Sequence, residues 1–573
     1  MTFCKKIGLF ASVVLLFGWF GKAVGADDIQ PNILLILTDD QKLDTVGCYG
    51  LNPLASSPNL DRLAAEGVRF TQAYCSAPQC VTSRRSIATG QYPHHNGVYG
   101  FEDTHAYTDS FHPFWWAPLK KQQGYYTTLV GKEHLHYKWY WSALPGQQLS
   151  SYLRQYGFTP KDLLHDKLIH YWRERPDIEN PFYVHETVNG KRKVKNNWFV
   201  LYDDDQYELV RSYRRLRKEI NNLIFAGYNP RAPGDTIDDY ILKDYQEMLN
   251  GLSGVDKPVS IELAFKFPHT PVLPPKEIAE KFEKFNFEIP EFSAREKAEI
   301  LAVPQMKELY CSLRSDGMTD AEIKKLIAHN FALCAYGDGL IGRAIDDFKA
   351  FSKKKGRPWL IIFTADHGVH LHEHGMIEKF TMYDESVHVP FIIASSDKKR
   401  FPAGIVYDEF VELVDIAPTI LAFAGENLSD QRYSYLDGFD LVGLIQGRIP
   451  EREEVLVQSS HICGHRALLR TKEWAFSMRT RPVDADFEFE KNYGWARNAS
   501  DNETEMTLFD IKNDPAETRN LAGLPEYKTV RDRLRRRLED RVLGPDRVEY
   551  PWHEDLGRKP PFFEPSAQFF IGD

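Results

Sequence analysis

Residues 31–40 read PNILLILTDD, an apolar run that begins after Pro31 and ends in two carboxylates. Residues 357–368, RPWLIIFTADHG, have the same arrangement. Short, continuous apolar runs bounded by turn residues are typical of strands buried on both faces of a parallel sheet. Both runs are therefore predicted to be parallel strands that end in polar residues.

Helical patterns accompany the two strands. Residues 57–70, SPNLDRLAAEGVRF, start at Ser57-Pro58, carry apolar residues at helical spacing and reach Gly67. A second pattern, CAYGDGLIGRAIDDFKAF, precedes the strand at 357–368. Alternation of strands and helices predicts an α/β fold with a large, mostly parallel central sheet flanked by helices.

The character of the chain changes near residue 456. VLVQSS, HRALLRT and EWAFSMRT read as short strands, and KTVRDRLRRRLEDRVL reads as an amphipathic helix. We predict a catalytic domain over residues 27–455 and a smaller α+β C-terminal subdomain, an antiparallel sheet plus a helix, over residues 456–573. Within the first domain, the region from about residue 140 to residue 250 is rich in Trp, Tyr and charged residues. We interpret it as insertions that lie over the edge of the sheet.

The first 26 residues read as a signal peptide. Lys5 and Lys6 precede an apolar run of fifteen residues, and Val24-Gly25-Ala26 offers a small-residue cleavage site. The run is shorter than the roughly 20 residues that span a bilayer. We therefore expect a secreted or periplasmic protein with no membrane span after signal cleavage, rather than an anchored one.

Composition excludes several classes of protein. Of the 573 residues, 43% are hydrophobic, which is enough for a large packed core. The formal charge of −10, without a basic tail, argues against nucleic acid as the main partner. The seven cysteines are widely spaced, so they form neither a disulfide framework nor a zinc site, although one or two disulfides remain open. The oligomeric state cannot be predicted.

The polar ends of the two strands predict a metal site. Asp39 and Asp40 end one strand, and Asp366 and His367 end the other. Ligands of open α/β sheets bind at this edge, and converging carboxylates need a cation to neutralise them. Oxygen ligands favour Ca²⁺, with Mg²⁺ as the alternative. Strand-end capping without a metal is the competing interpretation.

Residues 80–90, CVTSRRSIATG, predict a reactive centre. A helix beginning near Ser83 would place its positive end beside Cys80, and Arg84 would project toward the same place. A cysteine in such surroundings is expected to be reactive rather than inert. An activated residue beside a metal and an arginine suggests an anionic ester, a sulfate or a phosphate, as the substrate.

The same segment resembles the sulfatase signature C-x-P-S-R followed by T-G. It matches at Cys80, Ser83, Arg84 and Thr89-Gly90, and it departs at Thr82, where the family usually has proline. Further stretches are similar to family blocks in family order: SPNLDRLAAEGVRFTQAYCSAP, ILLILTDD, VGKEHLH, FKFPHTP, ADHGVHLHEHGMIEKFTMYDESVHVP and TLFDIKNDPAETRNLA. These blocks cover the mature chain, and the fold that they imply is the alkaline phosphatase-like one.

The resemblance implies roles for particular residues. Cys80 would be oxidised to formylglycine by a formylglycine-generating enzyme, and its hydrate would attack sulfur as the nucleophile. Residue 80 would also complete the metal site. The other implied catalytic residues are Arg84, which activates the nucleophile; Lys132, His269 and Lys379, which bind the sulfate; and His134, which takes the proton that releases sulfate. His269 or Lys379 would protonate the leaving alcohol.

The histidines of HGVHLHEHG, His370, His372 and His374, admit two interpretations. Their alternation would place them on one side of an extended stretch, as a second metal cluster requires. Loop histidines near the pocket are the interpretation we favour, because the metal already has four protein ligands.

The leading functional hypothesis is a secreted sulfatase that hydrolyses a sulfate ester on a carbohydrate or small molecule. Residues 211–219, RSYRRLRKE, read as a basic helix, either a solvated face or a rim that attracts an anionic glycan. HHNGVYG resembles the N-sulfoglucosamine sulfohydrolase branch, but the later histidine-rich block favours an O-sulfate. The alternatives are a phosphodiester or phosphonate monoester hydrolase of the same superfamily and a catalytically silent glycan-binding member.

Overall fold

A computed structural model describes most of the chain between residues 29 and 543. The described residues are 29–100, 114–132, 163–164, 183–188, 191–196, 204–217, 220–224, 226–460, 462, 464–482 and 495–543. The predicted signal peptide, Cys463 and His134 lie outside these ranges, and so does much of the predicted insertion at 140–250.

The strands are β1 (Asn32–Asp39), β2 (Val68–Tyr74), β3 (Tyr126–Gly131), β4 (Leu163–Leu164), β5 (Tyr183–Val188), β6 (Lys191–Asn196), β7 (Arg214–Arg217), β8 (Ile220–Ile224), β9 (Val259–Pro268), β10 (Trp359–Ala365), β11 (His370–Leu371), β12 (Ile377–Glu378), β13 (Phe391–Ser395), β14 (Ile405–Glu412), β15 (Glu454–Ser459), β16 (Arg466–Thr471), β17 (Trp474–Arg479) and β18 (Thr507–Asp510).

The α-helices are α1 (Pro58–Ala65), α2 (Cys80–Thr89), α3 (Pro93–Asn96), α4 (Trp116–Gln123), α5 (Asp204–Ser212), α6 (Ile237–Gly251), α7 (Lys276–Phe282), α8 (Ala294–Ala302), α9 (Pro304–Leu313), α10 (Asp320–Lys354), α11 (Asp384–Val387), α12 (Ile416–Phe423), α13 (Leu441–Ile445), α14 (Trp495–Asn498), α15 (Asp501–Thr504) and α16 (Lys528–Leu543).

The central sheet has eight strands in the order β14-β2-β13-β10-β1-β9-β3-β4. Every neighbouring pair is parallel except the two pairs made by β13, which is antiparallel to β10 and to β2. The predicted α/β fold with a mostly parallel sheet is confirmed. The two apolar runs that predicted it, β1 and β10, lie side by side in the middle of the sheet.

Both faces of the sheet are buried, as continuous apolar strands require. Ile33, Leu35 and Leu37 belong to one hydrophobic cluster, and Leu34 and Ile36 belong to a second cluster on the other face. The long helix α10 packs on this second face against α1, α6, α7 and β9. Its first turn is closed by a capping box between Thr319 and Glu322. This packing holds the strand ends rigidly in place.

The C-terminal region forms its own antiparallel sheet, β15-β16-β17-β18. Helix α16, which spans the stretch predicted as amphipathic, packs on β16 and β17 through Leu534, Leu538 and Val542. The predicted α+β subdomain is therefore present. Gln458 of β15 donates its main-chain N–H to the carbonyl of Ser76, which ties this sheet to the loop before α2.

The helical interpretation of residues 211–219 is wrong. Helix α5 ends at Ser212, and Arg214–Arg217 form strand β7, which pairs antiparallel with β8. A run of like charges carries no periodicity, so the pairing with a later strand could not be read from it. Further along the same region, α6 packs on β9 and β3 of the central sheet.

The cysteines of the described part of the chain are free thiols, namely Cys48, Cys75, Cys80, Cys311 and Cys334. Within that part of the chain, no helix is both long enough and apolar enough to cross a membrane.

Candidate active site

The carboxyl ends of β1 and β10 meet at one edge of the sheet. The parallel register pairs Thr38 with Ala365, so the next residues, Asp39 and Asp366, lie at the same level. Asp40 has a left-handed backbone (φ 64°), and its N–H donates to Oδ1 of Asp366 over 3.2 Å. The structure thus brings together the four residues predicted from these strand ends, including His367, and all four are buried.

Cys80 is the first residue of helix α2, three residues before the predicted start. The N–H of Ser83 donates to the carbonyl of Gln79 over 3.0 Å, so the first helical turn runs from 79 to 83. The expectation that the helix begins near Ser83 is therefore wrong, since the helix begins at Cys80 with Gln79 as its N-cap residue. The correction strengthens the prediction that Cys80 lies at the positive end of the helix.

Thr82 fits this first turn although the related signature carries proline there. Its main-chain N–H is one of those that a helix N-terminus leaves without an intrahelical acceptor, so either residue type is tolerated. Oγ1 of Thr82 accepts a hydrogen bond from Nε2 of Gln79 over 2.7 Å. Gln79 also donates to the carbonyl of Tyr99, which joins the helix start to the following loop.

The thiol of Cys80 contacts groups from three other segments. Its Sγ lies 3.4 Å from Oδ1 of Asp39, 3.3 Å from Nε2 of His367 and 3.3 Å from Nζ of Lys379. Nδ1 of His367 donates to the carbonyl of Gly368 over 2.9 Å, which directs the lone pair of Nε2 toward residue 80. Residue 80 therefore lies among a carboxylate, an imidazole and an ammonium group.

Arg84 is completely buried one helical turn after Cys80. Its Nε donates to Oδ2 of Asp366 over 2.9 Å, and Nη1 donates to the carbonyl of Lys132 over 3.2 Å. Nη2 has no acceptor among the described residues and lies 4.0 Å from Oδ1 of Asp39. A buried guanidinium N–H without a partner is costly, so this side chain has a donor ready for an oxygen at residue 80.

Two lysines complete the arrangement of charges. Lys132 follows Gly131 at the end of β3, and its ammonium pairs with Oδ2 of Asp39. Gly131 has φ 98°, and a Cβ there would lie 2.0 Å from the carbonyl oxygen of Ala264, so the turn that positions Lys132 requires glycine. Lys379 comes from the other side of the sheet edge and contacts Oδ1 of Asp40 over 2.6 Å.

Of the two predicted catalytic histidines, the structure describes one. His269 follows β9 and is half-buried, and one of its ring nitrogens lies within 4.8 Å of ligand atoms of Asp39, Asp40 and Cys80. Its Nδ1 lies 2.6 Å from the carbonyl of Thr270, which fixes the hydrogen of the neutral ring on Nδ1. His134 lies outside the described residues, and its role stays a prediction.

The electrostatics of the site shift the pKa values of the neighbouring Asp39 and Asp40 in opposite directions. Burial alone would raise the pKa of Asp39, but the positive charges of Lys132 and Arg84 hold it well below its usual value. Burial raises the pKa of Asp40 well above its usual value despite the charge of Lys379, and the carboxylates of Asp39 and Asp366 add to the rise. The single ammonium group of Lys379 therefore compensates the charge of Asp40 only in part.

The prediction of a reactive Cys80 thiol is wrong. Burial raises its pKa to about 12, the carboxylate of Asp39 adds to the rise, and the charges of Lys132 and Lys379 oppose it. The thiol is thus protonated at neutral pH and a poor nucleophile. The sequence shows the helix end and the arginine, which lower the pKa of a cysteine, but the prediction did not include the opposite effect of burial and of the converging carboxylates. Chemistry at this position requires a group other than the thiol.

A divalent cation fits the residues present. Oδ2 of Asp40 is buried and has no hydrogen-bond partner among the described residues. One ligand atom from each of Asp39, Cys80, Asp366 and His367 lies within 4.8 Å of the others. Asp40 lies beside this group, so three of the five candidate donors are carboxylates, which suits Ca²⁺ or Mg²⁺ better than a soft transition metal.

Lys266 is a site residue that the sequence analysis missed. It lies on β9, three residues before His269, and its side chain is buried. Burial lowers its pKa to about 7 although the carboxylate of Asp238 opposes the change, and Lys132 lowers it further. The signal was present as a lysine within the otherwise apolar run LAFKFP.

The three histidines of HGVHLHEHG do not share ligand positions. Nε2 of His370 contacts Oγ1 of Thr381 over 2.6 Å, while Nδ1 of His372 contacts Oγ of Ser315 over 2.8 Å. His374 contacts a third partner, Glu296. Among the described residues the groups that could hold a metal do not include them, which agrees with the interpretation as loop histidines.

His370 leads to a pH prediction. Its ring is fully buried, and burial lowers its pKa from about 6.5 to about 4, against the raising effect of Glu385. The unfolded chain therefore binds a proton that the folded chain does not between about pH 6.5 and pH 4, so stability is lost as the pH falls through this window.

Replacing His370 with leucine should remove that loss. Between pH 7.5 and pH 5.0, urea unfolding should show the wild type losing about 2 kcal/mol more than His370→Leu, because one titrating group is absent from the variant. Equal losses for the two proteins would show that folding leaves the pKa of His370 unchanged.

Comparison with known proteins gives one family. The sequence model of the family described as Sulfatase matches residues 31–426. An arylsulfatase of Clostridium perfringens is 25% identical over 538 residues, which cover 90% of this chain and 95% of that protein. An N-acetylglucosamine-6-O-sulfatase of Bacteroides thetaiotaomicron is 26% identical, with 89% of this chain and 86% of that protein covered.

Solved structures share the fold. A phosphonate monoester hydrolase of Agrobacterium radiobacter has a TM-score of 0.64 at 20% identity, with 89% of this chain and 95% of that chain covered. A protein in complex with its substrate D-glucosamine-2-N,6-O-disulfate has a TM-score of 0.58 at 20% identity, with 90% and 97% covered.

Proposed function

The chain belongs to the sulfatase family of sulfuric ester hydrolases, and from this premise we propose that it hydrolyses an O-sulfate ester on a sulfated carbohydrate. In this proposal Cys80 is matured to formylglycine, Asp39, Asp40, Asp366 and His367 hold Ca²⁺, and the protein acts after secretion. Sulfated sugars appear in the names and titles of several relatives and structural neighbours, which supports a carbohydrate substrate.

One observation carries the proposal. Around Sγ of Cys80, within 3.4 Å, lie a carboxylate, an imidazole with a free lone pair and an ammonium group. A site for an uncharged substrate has no use for so many buried charges, since each costs solvation energy. In a site that binds a metal cation and an anionic ester beside residue 80, the cation balances the buried carboxylates and the ester balances the buried ammonium groups.

Two groups would supply chemistry that the chain's own side chains lack. The hydrate of formylglycine at position 80 supplies an oxygen nucleophile and can later release sulfate, which a thiol or a serine cannot do. A divalent cation supplies positive charge beside that oxygen and beside the sulfate. Everything else in the reaction falls to the protein's own residues.

The cationic side chains would bind and orient the sulfate. Lys132 pairs with Asp39 and Lys379 pairs with Asp40, so the two lysines would bind different sulfate oxygens as fixed donors. The unpartnered Nη2 of Arg84 points to an oxygen on residue 80 as its acceptor. Because these donors are held by burial, they need little rearrangement when charge develops.

Proton transfer would use His269, Lys379 and His134. Burial lowers the pKa of His269 well below its usual value, and the charge of Lys379 lowers it further, so the free enzyme holds the ring neutral. Its hydrogen is on Nδ1, and Nε2 is left as an acceptor. Lys379 keeps its proton because the carboxylate of Asp40 raises its pKa despite burial. In the free enzyme, Lys379 is therefore the one of the two that is in its cationic, protonated form.

A pair of assays tests the proposal. Protein coexpressed with a formylglycine-generating enzyme and loaded with Ca²⁺ is assayed on 4-nitrophenyl sulfate and on an aryl phosphodiester. We expect the larger kcat/KM on the sulfate, and then turnover of O-sulfated sugars. A larger kcat/KM on the phosphodiester would support a phosphodiesterase instead. Glycan binding without turnover of either ester would support a silent binding protein.

Removal of the metal gives a further prediction. Treatment with EDTA should abolish hydrolysis and lower Tm, and Ca²⁺ should restore both, since the cation neutralises Asp40 in the folded state only. Binding at 100 times Kd stabilises a fold by about 2.7 kcal/mol. Asp40→Asn keeps the shape of the side chain and should make Tm nearly insensitive to Ca²⁺. Full activity and an unchanged Tm in EDTA would contradict the metal site.

A further inference from the structure

Lys379 is held by an unusual backbone. It follows β12 of a short hairpin, β11–β12, in which His370 pairs with Glu378 and Leu371 pairs with Ile377. The residues on either side of Lys379, Glu378 and Phe380, both have left-handed φ values, 75° and 82°. Non-glycine residues rarely adopt this conformation, so the lysine's position depends on contacts that hold the hairpin.

The turn of the hairpin is also left-handed. His372 has φ 104° and His374 has φ 55°. Ser315, which follows α9, donates its N–H to the carbonyl of Gly375 over 2.9 Å and contacts His372 through Oγ. The turn is therefore held from outside by the region of α8 and α9.

The strongest of these contacts is a buried charged group that we call the hairpin clamp: Glu296, His374 and Glu385. Nδ1 of His374 lies 2.7 Å from Oε1 of Glu296, and Nε2 lies 3.3 Å from Oε2 of Glu385. The ring stacks on Tyr383 at 3.7 Å between centroids. Burial would lower the pKa of His374, but the two carboxylates raise it to about 10, so the histidine is a cation at neutral pH.

Glu296 is the member of the clamp that comes from a distant part of the chain. It lies on α8, whose Glu299 accepts the main-chain N–H of Asn520 from the C-terminal region over 2.7 Å. The next helix, α9, is joined to the same region through Gln305, whose N–H donates to Oε2 of Glu505. Helix α8 thus contacts the C-terminal region through Glu299 and the hairpin through Glu296.

We propose that Glu296 is a positioning residue for Lys379: through His374 it holds the hairpin turn, and thereby the ammonium group, against Asp40 and residue 80. The inference rests on the proposed function only in that Lys379 is taken to bind the sulfate. Among the described residues, Glu296 forms hydrogen bonds with His374 and Ser293 and not with Cys80, Asp39 or Asp40, so its effect must pass through the hairpin.

A double-mutant cycle tests the proposal. Glu296→Ala should lower kcat/KM for 4-nitrophenyl sulfate by about tenfold, a coupling typical of residues within one contact network. On a Lys379→Ala background the same substitution should change kcat/KM by less than about twofold, because the lysine that it positions is gone. Glu296→Gln retains an acceptor for His374 and should recover most of the activity.

The control is a second histidine–glutamate pair, in which only the histidine is buried. Nε2 of His329 on α10 lies 2.6 Å from Oε1 of Glu283, which follows α7 and does not contact the hairpin. Glu283→Ala should leave kcat/KM unchanged on both backgrounds. Equal losses from Glu296→Ala with and without Lys379 would overturn the proposal and give Glu296 a general structural role.

A crystal structure of Glu296→Ala provides a readout that does not depend on turnover. We expect Nζ of Lys379 to have left its position 2.6 Å from Asp40. An unmoved lysine would overturn the positioning role even if the wild type proved inactive on sulfate esters. An inactive wild type with a displaced lysine in the variant would instead contradict the proposed function alone.

Discussion

Replacing Cys80 with alanine is expected to abolish sulfate ester hydrolysis, with kcat falling by at least about 10⁴-fold, as for the loss of other enzyme nucleophiles. Alanine cannot be oxidised to formylglycine, so the site would keep its metal ligands and its lysines but lose the nucleophile. The matured variant is assayed on 4-nitrophenyl sulfate, with Tm measured to show that the fold is intact.

Cys75 supplies the matched control. It is buried at the start of the loop that precedes α2, and its Sγ contacts the carbonyl of Ser386 rather than any charged group. Cys75→Ala should cost some stability through lost packing but should keep kcat within about twofold, since it removes no catalytic group. Turnover by Cys80→Ala at a rate near the wild type would contradict formylglycine catalysis, and the metal-bound site would then need another nucleophile.

Lys379→Ala is expected to have the second largest effect, a fall in kcat/KM of about 10²–10³-fold, which is typical of removing one preorganised donor from a transition-state site. The substitution removes the ammonium group that lies 3.3 Å from residue 80 and 2.6 Å from Asp40. In EDTA the variant should also unfold at a lower temperature than the wild type, because Asp40 then loses both of its counter-charges.

The control for this variant is Lys398→Ala, which removes a lysine that contacts the main chain of Glu66 on the protein surface. It should leave both kcat/KM and the effect of EDTA on Tm unchanged. If Lys379→Ala raised KM alone and left kcat intact, the lysine would contribute only to substrate binding, and its role in stabilising developing charge would be contradicted.

The parts of the fold that sequence could predict are those set by local pattern. The apolar runs of β1 and β10 require burial on both faces, so a parallel sheet follows, and with it the convergence of Asp39 and Asp366 at one edge. The helix α16 was predicted over its full length because its apolar residues recur at helical spacing.

The remaining errors arise where distant segments decide the outcome. Cys80 was predicted to be reactive because the helix end and Arg84 are close in sequence, whereas the carboxylates that raise its pKa come from two other strands. Residues 211–219 were assigned to a helix, but pairing of β7 with β8 overrides the local interpretation. The left-handed backbone at Glu378 and Phe380 could not be predicted, because neither residue is a glycine.

The measurement that tests the account most directly is the mass of the tryptic peptide 70–84, FTQAYCSAPQCVTSR, after coexpression with a formylglycine-generating enzyme and alkylation of thiols. The peptide contains Cys75 as an internal control. The account predicts one alkyl group, on Cys75, and an aldehyde at position 80, in which oxygen has replaced sulfur and two hydrogens have been lost. Alkylation of both cysteines would contradict it, because the site would then hold only the unreactive thiol.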